Sequence, residues 1–490
     1  MKSHAQSRHG MVRGSSHAPR SPSFEGRFGR MFRLLPAAEF RPEILEELAK
    51  AMTAEREDPP TPETERDAEE NPAIGAGITY LGQFIDHDLT VRSFEQPAEA
   101  ERSGRADRLP LAAIRPRLRR TDEAPAISRI STRRMACGCC WGAGSRAAPK
   151  DPKARDLPRS NPAAGPKRAI IGDPRNDENV IIAQLHTVFL RFHNRVADQL
   201  KHADFETVQR FVRWHYQWVV IHDFLPTVVE EETLHHVLPH LRNGTSLAED
   251  PPRLHFFHWR NEPFIPVEFS VAAYRFGHSM VRPQYRLNTT LKERLDIFAK
   301  SGPDLTGFRE YPREFAIDWS LFFRMQAKPK EVGIDRLQPA YKIDSSLVNP
   351  LALLPAIEAP VMPVLAQRNL LRGLRMGLPS GQSVARRMGV DPIPDEHLLV
   401  GKATEGGRRH EHSADRDLSG IRSQCAAVVL RAGRSAAAVP HRRDADPAGP
   451  GGRQDRGRGS GRPAPRRPAF FPDHEPGLEA VPGVHAPRPL

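Results

Sequence analysis

Apolar side chains recur at three- and four-residue steps through much of this 490-residue chain, and strand-like alternation is scarce. The clearest run is 179–201, where Ile182, Leu185, Phe189, Phe192, Val196 and Leu200 fall on one helical stripe. Residues 205–230 continue it with Phe211, Trp214, Trp218 and Ile221. Pro42 sits at a helix start, ahead of Glu43-Ile44-Leu45-Glu46-Glu47-Leu48-Ala49. Residues 76–90 carry an apolar helical pattern, and further helical pieces fall at 269–278, 314–325 and 360–375. The acidic, Pro-rich stretch 55–70 reads as a loop. No repeat of fixed period is present. The pattern predicts a mainly α fold with little β: one large helical domain over 31–401, preceded by a disordered tail at 1–30.

Composition changes this picture at two places. Hydrophobic residues are only 39%, and the 47 Pro are near twice the usual share, so the chain is not uniformly globular. The net charge of +12 is concentrated. Residues 98–150 carry 12 basic and 5 acidic side chains, and residues 402–490 carry 16 and 10. Neither segment has a persuasive period; both read as irregular, and 402–490 as a low-complexity tail. A basic balance suggests nucleic acid, but aromatic interleaving is missing: after Val400 the only aromatic residues are Phe470 and Phe471. Nucleic-acid binding is therefore not expected. No stretch approaches the ~20 apolar residues of a membrane span. Residues 1–30 are Ser-, Arg- and His-rich without an apolar core, so no Sec-type leader is visible, and a cytoplasmic or non-classically exported protein is the expectation. Four Cys exclude a disulfide scaffold. Cys137, Cys139 and Cys140 suggest a zinc knuckle but lack a fourth ligand at suitable spacing.

Three short segments hold polar groups that sit badly with pure packing. Gly82-Gln83-Phe84-Ile85-Asp86-His87-Asp88 places a His between two carboxylates in an apolar helix. Buried charge of that density is costly unless paired or bound to something. Gly172-Asp173-Pro174-Arg175-Asn176-Asp177-Glu178 opens the long periodic helix, where acidic residues suit an N-terminus and Arg175 does not. Tyr274-Arg275-Phe276-Gly277-His278 ends an apolar run on a His. Any one of these His is more often a packed residue than a ligand; together, two His, an Arg and several carboxylates fit a buried cofactor. His186 and His193, seven apart on one face, read as packing or capping, and His215 and His222 as residues at the core edge. Trp214, Trp218, Trp259 and Trp319 read as packing rather than electron relays.

On these motifs the chain resembles the animal-type haem peroxidases of the peroxidase–cyclooxygenase superfamily, in their bacterial form. The resemblance covers about 31–92 and 152–401 and extends to Leu185-His186-Thr187, His193-Asn194-Arg195, Asn369-Leu370-Leu371-Arg372-Gly373 and Gly377-Leu378-Pro379. It implies a single helical haem-peroxidase domain binding haem b. It implies His87 as the distal base, Arg175 as the distal cation and Gln83 as the residue that orders water or halide. His278 corresponds to the iron ligand, Asn369 to the partner of its other ring nitrogen, and Arg372 to the residue that pairs with a haem propionate. Asp86 and Glu178 match carboxylates that can esterify haem methyls. Asn179 replaces the Met that would form a sulfonium link. Asp88 matches one calcium ligand. The partners implied are hydrogen peroxide and small reducing substrates.

The chain departs from the family at the two basic segments. The calcium loop would fall near 100–150, so the calcium site is expected to be incomplete, and family-like sequence is lost again soon after Thr404. Both segments are rich in Arg, Pro, Ala and Gly, and the chain has 60 Arg to 12 Lys. They read as out-of-frame translation of a GC-rich gene, a hypothesis that unbroken native-frame coding in the nucleotide sequence would refute. Two other functions stay open. A fatty-acid dioxygenase of the same superfamily uses a Tyr three residues before the proximal His; here that position is Arg275, as in the peroxidases, and Tyr274 is one further back. The other is a non-catalytic, frame-shifted remnant.

Overall fold

In the computed structural model the described residues are Val12–Arg13, 28–56, 67–90, 156–160 and 167–401, with gaps at 202, 260–262, 300, 326–328, 353, 355–362, 395–397 and 399. The segments 98–150 and 402–490, with Cys137, Cys139 and Cys140, lie outside them, as does most of 1–30. One part of that N-terminal tail is ordered, which corrects its expected end. Phe28–Gly29 pairs in parallel with Ile265–Pro266 and with Val12–Arg13.

Five helices of eleven residues or more are present among the described residues: α1 (Pro42–Met52), α2 (Ala76–Thr90), α3 (Val180–Gln199), α4 (Phe205–Val219) and α5 (Leu365–Arg375). Each coincides with a stretch of helical periodicity. In α1, Pro42 occupies the first turn, where its missing N–H leaves no bond unmade, and Leu45, Leu48, Ala49 and Met52 form the buried stripe. That stripe lies against α5. Helix α4 passes into a π turn at Val220–Phe224 and a last helical turn, Leu225–Val228.

Two expected helices are shorter or tighter than their pattern predicts. Residues 269–278 divide into a helical turn, Val267–Val271, and the 3-10 helix Ala273–Met280. Residues 314–325 hold only the 3-10 turns Arg313–Phe315 and Trp319–Leu321. There the Asp318 carboxylate accepts from Ser320 N at 3.1 Å and Ser320 Oγ at 2.6 Å, a local alternative to helix that its apolar neighbours do not reveal.

Helices α2, α3 and α4 meet at an aromatic centre. Phe84 stacks on Phe189 at 4.8 Å, and Tyr216 stands edge-on to both, 6.0 and 5.3 Å away. The longest strand, Glu70–Gly75, leads directly into α2 and pairs antiparallel with Pro339–Tyr341. Glu70 is buried and receives Arg282 at 2.7 Å and Arg336, so the strand before α2 is tied to the chain four residues beyond His278. No described helix is long and apolar enough to cross a membrane.

Candidate active site

Helix α2 carries Gln83 and His87 one turn apart, on the side that meets the turn Pro174–Asp177 and α3. His87 is buried. Its Nδ1 lies 2.7 Å from Asn176 Oδ1. With the Asn176 amide in this orientation its oxygen accepts, so Nδ1 carries the ring proton and Nε2 keeps its lone pair. Nε2 lies 3.8 Å from Glu178 Oε1. Burial first, and the Arg175 charge second, lower the His87 pKa to about 4. The imidazole is therefore a neutral base at physiological pH.

Arg175 is held by three partners. It donates to the Asp173 carboxylate at 2.6 Å, to Thr90 Oγ1 at 2.8 Å and to the His87 carbonyl at 2.7 Å. Burial opposes its charge, but Asp173 overrides this and raises the pKa of Arg175 above the ordinary guanidinium value. Burial likewise pushes the Asp173 carboxyl up, and Arg175 outweighs it. Glu178 accepts a hydrogen bond from Gln83, and burial raises its pKa to about 7. His87, Arg175, Gln83 and Glu178 thus converge.

The second histidine lies across an ion pair. Asp86 binds Arg275 at 3.2 Å, and Arg275 is fixed by donating to the Ser270 carbonyl at 2.9 Å. Three residues on, His278 Nδ1 lies 2.9 Å from the Asn369 side-chain amide, which reaches it from α5. Its Nε2 has no hydrogen-bond partner among the described residues. Burial, then the charges of Arg275, Arg372 and Arg368, lower the His278 pKa to about 3. A cavity of about 70 Å³ behind this pair is lined by apolar side chains such as Phe40, Met52 and Leu370. Arg372 itself is exposed on α5.

Asp88 faces elsewhere. It is buried beside the Tyr216 phenol, whose pKa burial and then Asp88 raise. Among the described residues no cluster of three or more His, Cys, Asp or Glu is arranged to hold a metal ion. The loop expected to complete a calcium site falls outside them.

Some side chains depart from their sequence reading. Trp319 is buried, but Trp214, Trp218 and Trp259 are exposed at 42%, 42% and 45%, so they are not core packing. His215 is exposed. His186 is buried edge-on to Phe84 with neither ring nitrogen hydrogen-bonded, which excludes a capping role. Asn176 was given no role from sequence, and it is the residue that fixes the His87 tautomer. Its only signal was an uncharged amide inside the Asp-Pro-Arg-Asn-Asp-Glu run.

Residues 141–305 match the family model for animal haem peroxidase. Over those residues, about a third of its length, the chain is similar to the animal haem peroxidases. That match takes in Arg175, Glu178, Arg275 and His278; α2 and α5 lie outside it. Thyroid peroxidase of Sus scrofa is 29% identical over 228 residues, 45% of this chain and 21% of that protein. Peroxidasin of Drosophila melanogaster is 30% identical over 132 residues, 25% of this chain and 8% of that protein. Myeloperoxidase of Mus musculus is 27% identical over 128 residues, 24% and 16% of the two chains. The chain thus spans about a fifth or less of the length of these curated relatives. Among solved structures, peroxidase A of Dictyostelium discoideum superposes with a TM-score of 0.42 at 14% identity, covering 85% of this chain and 83% of that one. Fatty acid alpha-dioxygenase of Oryza sativa gives 0.45 at 12% identity, covering 82% and 69%. Scores at this level do not choose between the two activities.

Proposed function

We propose that this chain is a haem-dependent peroxidase that reduces hydrogen peroxide while oxidising halide or small organic donors. The observation that carries the reading is the state of His87: buried, neutral, its tautomer set by Asn176, its free Nε2 beside Glu178, and Arg175 bonded to its own carbonyl.

The proximal residues fit haem by their donor chemistry. His278 is a neutral imidazole whose Nε2 is unused, and it would ligate the iron. In the orientation present, Asn369 Nδ2 donates to Nδ1 and places the ring proton on Nε2. Ligation needs the reverse tautomer. Turning the amide over, which exchanges two groups of similar size, presents Oδ1 to an Nδ1–H instead. Arg372 would pair with a propionate. Asp86 and Glu178, which now hold Arg275 and Gln83, would be the carboxylates that form ester bonds to the haem methyls.

Haem, when bound, would supply the electrons for O–O cleavage, and proton handling would fall to the protein. His87 Nε2 removes a proton from one peroxide oxygen and delivers it to the other, which leaves as water. The Arg175 cation stabilises negative charge growing on the leaving oxygen. Gln83 orders water or halide beside them. With two electrons from donors and two protons, each peroxide yields two waters.

One contact weighs against the dioxygenase reading. The Tyr274 hydroxyl donates to the Gly82 carbonyl at 3.1 Å, so this phenol is tied to the α2 backbone. The test is haem reconstitution followed by peroxide consumption coupled to iodide or guaiacol oxidation. A Soret band with donor oxidation is expected. Bound haem with no peroxide consumption would leave the remnant reading. Acid–organic extraction after peroxide treatment addresses the esters: retained haem is expected, and complete extraction rejects them.

A further inference from the structure

The turn that carries Arg175 and Glu178 is gripped from behind by a segment more than a hundred residues away. Val180 N donates to the Leu305 carbonyl at 2.9 Å, Gly307 N to the Glu178 carbonyl at 2.9 Å, and Phe308 N to the Asp177 carbonyl at 2.6 Å. Asn179 and Thr306 form an antiparallel bridge between them. Residues 305–308 therefore run as a short ladder along 177–180.

Two irregularities coincide at this contact. A Cβ on Gly307 would stand 1.9 Å from the Asp177 carbonyl oxygen and 2.8 Å from the Glu178 carbonyl carbon. Only glycine lets the two backbones come this close. The next residue, Phe308, has φ of 56° and is the only described non-glycine residue with positive φ. A bulky side chain is disfavoured in that region, and strain of this kind persists only where the surroundings over-determine it.

The surroundings do so. The Asp304 carboxylate accepts from Ala299 N at 3.0 Å, Thr306 N at 3.1 Å and Thr306 Oγ1 at 2.6 Å. Arg309 donates to the carbonyls of Thr306 and Asp304, each at 3.0 Å. Across the contact, Asp177 is held by Arg159 at 2.9 and 3.0 Å. Both sides are braced, and the carbonyls gripped between them belong to the second and third residues after Arg175.

We infer that Leu305–Phe308 is a positioning clamp for the peroxide-cleaving groups: by fixing the backbone of Asp177 and Glu178 it sets where the Glu178 carboxylate and the Arg175 guanidinium stand relative to His87. The inference rests on the peroxidase reading for what those groups do, and on backbone geometry alone for how they are held. Gly307 is required for the approach and Phe308 for its conformation. The Arg168 guanidinium also lies over the Phe308 ring at 4.8 Å. Phe308→Val and Phe308→Gly both lose that contact, so the two variants differ in backbone preference.

The test uses the full chain. Gly307→Ala inserts a methyl into the contact. Phe308→Val disfavours positive φ, and Phe308→Gly permits it. Hydrogen exchange of the 175–180 amides is measured on each protein without haem. Haem capture and peroxide cleavage are measured after reconstitution. Gly307→Ala and Phe308→Val should speed exchange and slow cleavage by at least about tenfold, with haem capture unchanged, because a small misplacement of reacting groups has effects of that size or more. Phe308→Gly should stay within about twofold of the parent by the same reasoning. Across the set the rate should follow exchange, not melting temperature.

Unchanged exchange in Gly307→Ala and Phe308→Val overturns the clamp. So does a Phe308→Gly loss as large as that of Phe308→Val, which would assign the effect to the ring. If Gly307→Ala fails to fold, the Phe308 pair decides. If the parent takes up haem but does not cleave peroxide, the peroxidase reading fails, while faster exchange in the variants still supports the clamp.

Discussion

In the proposed peroxidase His87 would serve as the base because burial keeps its imidazole neutral. Exposed, an imidazole with a pKa near 6.5 would lose part of its lone-pair population at pH 6. At about 4 it keeps nearly all of it down to pH 5. Protonation of His87 itself should therefore slow peroxide cleavage only near pH 4. A change between about pH 5 and 8 should be absent from Glu178→Gln, because Glu178, 3.8 Å from Nε2 with a pKa raised to about 7, titrates in that window. Stability has the opposite sensitivity. His87 and His186 both have folded pKa values lowered to about 4, below the 6.5 of an unfolded chain. Above pH 6.5 both states are neutral and no penalty exists. Between pH 6.5 and 4 the unfolded chain binds protons that the folded state refuses, so stability falls with pH by up to about 1.4 kcal/mol per unit per histidine. Urea unfolding at several pH values should show this slope, reduced in His186→Leu; an equal slope in that variant would contradict it. The charged site residues were legible because their types are expensive inside an apolar helix. Asn176 was not: an Asn in a polar turn looks like any turn former until α2 is placed against it. Trp214 and Trp218 misled for the converse reason, since periodicity counts an indole as apolar whichever way it faces.

At the scale of the element, the helices that periodicity marks most strongly are present with nearly the expected ends. Their boundaries are set by side chains that the hydrophobic pattern ignores. Asn179 was notable in the sequence only for replacing a family methionine. In the fold it caps α3, its Oδ1 accepting from Ile181 N at 3.1 Å and Ile182 N at 2.9 Å. Asn179→Ala should destabilise the protein by about 1 kcal/mol, as loss of such caps does, and Asn179→Asp or Ser should restore most of it. Thermal or urea unfolding checks this. A loss well below half of that from Asn179→Ala would show that the bridge to Thr306, not the cap, holds this end of the helix. The pattern at 314–325 did not become a helix, because Asp318 closes its own turn. A hydrophobic period is necessary for a buried helix and does not guarantee one.

At the scale of the molecule, the sequence lacks the pairings that bring distant segments together. Nothing in Glu70, Arg282 and Arg336 announces a shared buried contact, and nothing in Gly307 points to Glu178, because each partner is ordinary in its own neighbourhood. These joins hold the elements that carry His87 and the His278 segment in one frame, with Asp86–Arg275 spanning them directly. In the proposed reaction His87 and Arg175, far apart in sequence, act on one peroxide molecule in this frame. The most direct measurement is the first absorbance change of the haem-loaded protein on rapid mixing with hydrogen peroxide, in the parent, His87→Ala, Arg175→Ala and the double variant. Each single variant should retain haem and slow that change by at least about a hundredfold. The double variant should lose less than the product of the two, since base and cation serve the same transition state. Parent-like rates in both single variants, with haem bound, would contradict the assignment of His87 and Arg175 and the peroxidase mechanism with it.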